Sequence, residues 1–430
     1  MVPSVSEAQQ DTMRESPKIS DLKRMSDEDL ENKKEGAYVT AIPDFSSDPL
    51  TGFGAGVEAS LFFNGKRTDS TFAYVPYKSC LNLTLFYTTK KQYELAMDFD
   101  APYIFNTPWR LRAEVVLEVN PNLLYFGNTE QTLNGLSYYP DNDSSKTIVK
   151  NASYADYNNS LKGPTELFNT YLEKEDVINA SLERSFLEGR MRTLVGYEFS
   201  RVSNTPLTNN SLLGRETFAK KIKGEGTNLI SFLHLGITYD TRDLETDPSK
   251  GIIAEVTDEL SLKALGSQLD FNKIFVHFNF YRKLLPGTFK RLVFASRIAL
   301  GYTDGDAPFY EFRHQWSSDE HVEGLGGGTT LRGYKQARFL SRVMLFSNNE
   351  LRYRFVDFKL LKQHIALSAV PFFDIGGIYD NFNRIGETNN IRYSEGLGFR
   401  IAWNVNTILR FDYSVSKEDH QFFFSIGNIF

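Results

Sequence analysis

Gly324-Leu325-Gly326-Gly327-Gly328-Thr329-Thr330-Leu331-Arg332-Gly333-Tyr334 sets one guanidinium among glycines that let the backbone bend and pack closely. The stretch lies in a long polar excursion, Thr303 to about Leu340, between two runs that alternate apolar and polar residues. A run of about ten such residues has one greasy and one wet face, the pattern of a barrel wall. A loop of this composition is built to fold inward, and an arginine carried into a wet lumen needs an acidic partner there. Asp374, in Phe372-Phe373-Asp374-Ile375-Gly376, is the best placed, and Glu350 is a second acceptor. A guanidinium binds a carboxylate through two parallel hydrogen bonds, which fixes angle as well as distance, so Arg332 on Asp374 would pin the loop to the wall.

Outward from that stretch, sixteen strand-like runs separated by turn signals fill residues 38–430. They fall at 38–45, 53–63, 77–89, 92–103, 109–123, 177–187, 190–202, 228–239, 252–263, 270–285, 290–302, 342–356, 364–376, 391–404, 407–416 and 420–430. An even count puts both chain ends on one side of a membrane. The alternation is sharp: between Ile391 and Asn404 one face carries Tyr393, Leu397, Phe399, Ile401 and Trp403, the other Arg392, Ser394, Gly396, Gly398 and Arg400. Projected along neighbouring runs, Glu350, Arg352, Arg354, Asp374, Arg410 and Asp412 all point to the wet side. The predicted fold is all-β: a sixteen-stranded antiparallel transmembrane barrel over residues 36–430 with an extracellular loop folded inward. Residues 125–174 and 204–227, without sustained period, read as further extracellular loops.

Composition agrees. Aromatics make up 14% of the chain, with 35 Phe and 22 Tyr, which favours strands. No stretch approaches the length of apolar sequence that a spanning helix needs. The net charge of −6 argues against a nucleic-acid partner. The single cysteine, Cys80, allows no intrachain disulfide. Residues 1–35 are polar and charged, and read as a mobile periplasmic tail with one turn of helix near Ser26–Lys34. They contain no apolar signal segment, so the chain as it stands shows no export signal.

No catalytic site, cofactor or metal is indicated. The glycine run lacks the Gly-Lys-Ser/Thr of a phosphate loop. Asp319, Glu320, His321 and Glu323 lack metal-ligand spacing and read as a solvated acidic run. At the C-terminus, Phe422, Phe424, Ile426 and Phe430 fall in register on one face, with Gly427 between them, which predicts a lipid-facing closing strand and a recognition signal for insertion.

Leu331-Arg332-Gly333-Tyr334, followed by Phe372-x-Asp374-x-Gly376, resembles the paired motifs of the BamA/TamA superfamily of outer-membrane assembly and translocation barrels. Asp240-Thr241-Arg242-Asp243 with Pro248 and Gly251, and Pro308-Phe309-Tyr310-Glu311, also resemble that family. The resemblance implies that the first and last strands meet at a seam able to open sideways. It further implies insertion of barrel proteins or export of polypeptide across a bacterial outer membrane. The partners it implies are outer-membrane lipid, client barrels or exported polypeptides, and periplasmic or lipoprotein subunits. Family members carry N-terminal POTRA domains, for which residues 1–35 leave no room, and this favours the alternative of a scaffold or narrow pore subunit.

Overall fold

A strand with period two has two unlike faces, and these runs bring no long helix to cover either, so their backbones must be satisfied by pairing with one another. In the computed structural model, which describes residues 17–430 apart from 49, 141–142, 144, 162–167, 320 and 362, they pair antiparallel in chain order. The first half of the wall is β1 (Ala37–Asp48), β2 (Gly52–Phe63), β3 (Ser79–Thr88), β4 (Tyr93–Ala101), β5 (Trp109–Leu124), β6 (Thr170–Phe186), β7 (Met191–Pro206) and β8 (Gly226–Asp240). It continues through β9 (Gly251–Ser261), β10 (Phe271–Lys283) and β11 (Arg291–Gly305). The last five strands are β14 (Val343–Leu360), β15 (Gln363–Tyr379), β16 (Ile391–Trp403), β17 (Thr407–Val415) and β18 (His420–Ile426). Two short strands, β12 (His314–Trp316) and β13 (His321–Glu323), pair with each other inside the long loop and stay outside the sixteen-stranded sheet.

The faces separate as the period requires. Along β11, Phe294 and Ile298 are exposed while Ala295, Arg297 and Ala299 are fully buried. Large apolar side chains stand out from nearly every strand, whereas charged ones are buried on the inside. Among the described residues no helix is long and apolar enough to cross a membrane. The molecule is therefore an all-β, sixteen-stranded antiparallel barrel. Its sheet order ends at β1 and β18, and no described ladder joins them. Asn406, in the β16–β17 connection, donates to the Tyr38 hydroxyl of β1 at 2.8 Å, so the last strands curl round to the first.

Two expectations need correction. The strand predicted over 420–430 stops at Ile426, because Gly427 at φ +88° turns the chain. Phe430 is then enclosed rather than lipid-facing: its ring packs near Tyr281, Ile253 and Val293, and Arg297 and Arg352 hold the carbonyls of Ile429 and Phe430 at 3.1 and 3.0 Å. The mobile tail predicted over 1–35 does not hold for residues 17–35, which pack against the barrel with α1 (Asp27–Asn32) capped by Ser26. Residues 1–16 lie outside the described residues.

Candidate functional site

The loop between β11 and β14 enters the lumen and is pinned there. Arg332 Nε and Nη2 each donate to Asp374 at 2.8 Å, the bidentate pair expected from the sequence. Its Nη1 reaches both Glu350 at 2.9 Å and Asp412 at 3.0 Å. All four side chains are inaccessible to solvent. The guanidinium lies 3.4 Å from the Phe372 ring centroid, so the face of the cation is covered as well. Burial alone would favour loss of its proton; Asp374 first, then Glu350 and Asp412, outweigh that and hold its pKa above the ordinary arginine value.

The neighbouring predicted residues take structural parts. Gly333 is at φ +91°, and its carbonyl accepts from the Ser416 hydroxyl at 2.7 Å. Tyr334 is buried in an apolar cluster with Leu325, Leu331, Phe339, Phe346 and Ile378. A Cβ on Gly376 would stand 2.7 Å from Leu325 Cδ1, so a side chain there would collide with the loop. Phe424 remains on the wall, tilted against Phe411. The structure thus brings Arg332, Gly333, Tyr334, Phe372, Asp374, Gly376 and Glu350 together, while Gly427 and Phe430 belong to the tail that enters the lumen.

Several contributors escaped the sequence reading. Period two puts Asp412 on the wet face, but nothing in the sequence marks it as a third acceptor. Asn348 donates to Asp374 at 2.8 Å and to the Thr330 carbonyl, and Arg352 and Arg400 bond Glu350 from the wall. The loop has further anchors: Arg338 on Glu418, Glu311 on Lys273, and Arg313 on Glu173. Arg338 carried no signal, lying in a stretch with neither period nor motif. Asp319 and His321 are exposed, as a solvated run would be, but Asp319 is also bonded by Arg112 and Arg242. Arg242 belongs to the Asp240-x-Arg-Asp turn, which therefore holds the loop as well as connecting two strands. Glu320 lies outside the described residues.

Glu173, Glu175 and His314 bring three potential metal-ligand atoms near one another. The Arg313 guanidinium already bonds Glu173 at 2.8 Å and His314 Nε2 at 3.0 Å, so a cation of the protein's own occupies that position.

One arginine thus fastens a lumen loop to three strands of a sixteen-stranded antiparallel β-barrel wall. The chain belongs to the Omp85 superfamily, whose domain model matches residues 79–430. Residues 15–78 match a second family, a domain of unknown function. The outer membrane protein assembly factor BamA of Nitratidesulfovibrio vulgaris (strain Hildenborough) is 30% identical over 227 residues, which cover 49% of this chain and 27% of that protein. CdiB from Escherichia coli matches in structure with a TM-score of 0.51 at 10% identity, over 91% of this chain and 61% of CdiB. BamA from Haemophilus ducreyi lacking POTRA domains 1–3 has a TM-score of 0.48 at 12% identity, over 92% and 70% of the two chains. At such identities the structural likeness concerns the fold.

Proposed function

We propose that this barrel inserts β-barrel proteins into a bacterial outer membrane or passes polypeptide across it, making and breaking no covalent bond. In this proposal the short-turn end, where the described chain ends lie, faces the periplasm. The observation that carries it is the pinned loop: with Arg332 held against β14, β15 and β17, the loop stays inside the barrel, and the wall is the surface open to a client. The wall has an edge to offer. β1 extends over twelve residues, whereas the β17–β18 ladder covers only seven, and an unpaired edge templates an incoming strand. Membership of the Omp85 superfamily supports the same reading, as does similarity to a protein named an assembly factor.

The test is folding catalysis. Proteoliposomes containing this chain should fold a urea-unfolded eight-stranded barrel severalfold faster than empty liposomes of the same lipid, read by heat-dependent gel mobility. Equal rates would overturn the proposal. A scaffold or narrow pore subunit is the second reading, and the N-terminal segment packed against the end of β8 and the β16–β17 turn favours the scaffold. Steady single-channel conductance without folding catalysis would select the pore.

A further inference from the structure

Among the described residues, Pro43, Pro121 and Pro371 stand inside wall strands, and two of the three break a ladder. At Pro121 of β5 the pairing with β6 slips between Asn120, which faces Glu173, and Leu123, which faces Tyr171. At Pro371 of β15 the pairing with β14 is lost between Phe372, which faces Glu350, and Ala369, which faces Tyr353. Both breaks follow from the ring: proline has no N–H to give, and its Cδ stands where the proton would. Pro43 of β1 causes no such break, since twelve pairs with β2 run through it in unbroken register.

The difference is one of direction, because successive residues of a strand turn their N–H and C=O to opposite neighbours. The carbonyls of Phe53 and Phe63 in β2 accept from the Thr89 and Lys78 amides on the β3 side, each at 2.8 Å. Odd-numbered residues of β2 therefore serve β3, and even-numbered ones serve β1. The Asn64 amide agrees, donating to the Gly36 carbonyl at 2.9 Å just before β1. Pro43 lies across from Val57, an odd residue, so its nitrogen points away from β2 and toward the seam. Ala37, Val39, Ala41, Phe45 and Ser47 turn their backbones the same way, which gives this edge donors on both sides of Pro43 and none at it. The edge of β18 is shorter: the Gly427 amide donates to the Ile408 carbonyl at 2.8 Å, so only even residues face the seam, and the His420 amide is taken by the Asp419 carboxylate at 2.6 Å. Val39, Ala41 and Phe45 are exposed on the outer face around Pro43. A carbonyl left opposite Pro43 therefore meets lipid, which has no proton to offer it.

We propose that Pro43 is a stop in the seam edge of β1: the end strand of a client barrel pairs with Ala37 to Ala41, at the short-turn end, and Pro43 keeps the ladder from running on to Phe45 and Ser47. A client is then held over half an edge, by few enough bonds to be let go. The occupant rests on the proposed function; the place of the stop rests on β1 alone. In a Cys80→Ser background, Val39→Cys and Ser47→Cys chains in proteoliposomes are mixed with a urea-unfolded eight-stranded barrel that carries single cysteines along its last strand. A short bifunctional thiol reagent then joins neighbours. Adducts at Val39→Cys should exceed those at Ser47→Cys at least fivefold. Pro43→Ala should raise Ser47→Cys to the level of Val39→Cys and slow the release of folded client severalfold. Adding Ala41→Pro to that chain should suppress the Ser47→Cys adducts again, which a merely loosened barrel would not do. Equal adducts at both positions, none at either, or no change with Pro43→Ala overturn the stop, and the assembly reading stands wherever folding is still accelerated. Adducts confined to Val39→Cys without accelerated folding would do the reverse, keeping the stop and removing the assembly reading.

Discussion

Arg332 uses four of a guanidinium's five N–H donors on three carboxylates, each from a different strand. Removing it leaves Asp374 without its guanidinium, and Glu350 and Asp412 with only the wall arginines Arg352 and Arg400, in a place closed to solvent; breaking a buried pair in this way costs about 3–5 kcal/mol. Removing Asp374 leaves Arg332 two acceptors, so Asp374→Ala should be the milder change. The double variant should be little worse than Arg332→Ala, read as the midpoint of heat-dependent gel mobility; costs that simply add would show that the two residues act independently. Arg332→Lys should recover little, because an ammonium lacks the planar fork. The pairing was legible in the sequence because Arg332 sits among glycines and Asp374 follows the wall's period. Asp412 was half legible: alternation gives the face of a residue but not its height in the barrel. Phe430 misled because Gly427 continues a strand as readily as it ends one, and the arginines that draw the tail inward, Arg297 and Arg352, lie far away in sequence.

Among the elements, the strands were nearly all legible, since each carries its own alternation and is bounded by its own turn residues. Their ends were not. β6 begins at Thr170 and β14 runs to Leu360, beyond the predicted limits, because pairing with a neighbour extends a strand past its own pattern. Period two also puts Ala402 inside without revealing that it packs on Ala366 and Ile408. The N-terminal segment was misjudged for a related reason: its residues are polar, and only the partners on distant turns make their burial possible. A cleaner test of the wall lies at the middle of β6. Ile178 is exposed on the outer face, and its neighbour Asn179 lines the lumenal cavity across from Glu114. Ile178→Arg should cost roughly 2–4 kcal/mol in a bilayer-folding assay, and Asn179→Arg, which meets water and carboxylates, clearly less. Equal costs would mean that the faces of β6 are assigned the wrong way round.

For the whole molecule, antiparallel order sets one end of the barrel apart from the other. With the short-turn end in the periplasm, the connections 125–169, 207–225 and 306–342 belong to the cell surface, apart from the part of the last that enters the lumen. Cysteines at Asn158 and Asn209 should therefore react with an impermeant maleimide on intact cells, and labelling only after the outer membrane is broken would reverse the orientation. Sequence could rank these segments as loops because they lack a period, and Arg332 among glycines marked the last of them as folding inward; how many strands fasten it there depends on charges that lie far apart in the chain. Sharing of this kind also bears on descent. Glu350 and Asp412 serve Arg400 as well as Arg332, so a change at any one of these positions upsets the balance of buried charge at the others. Neutral intermediates are then scarce, and lineages diverging from this chain should inherit the set whole or lose it whole, while outward positions such as Ile178 drift freely among apolar residues.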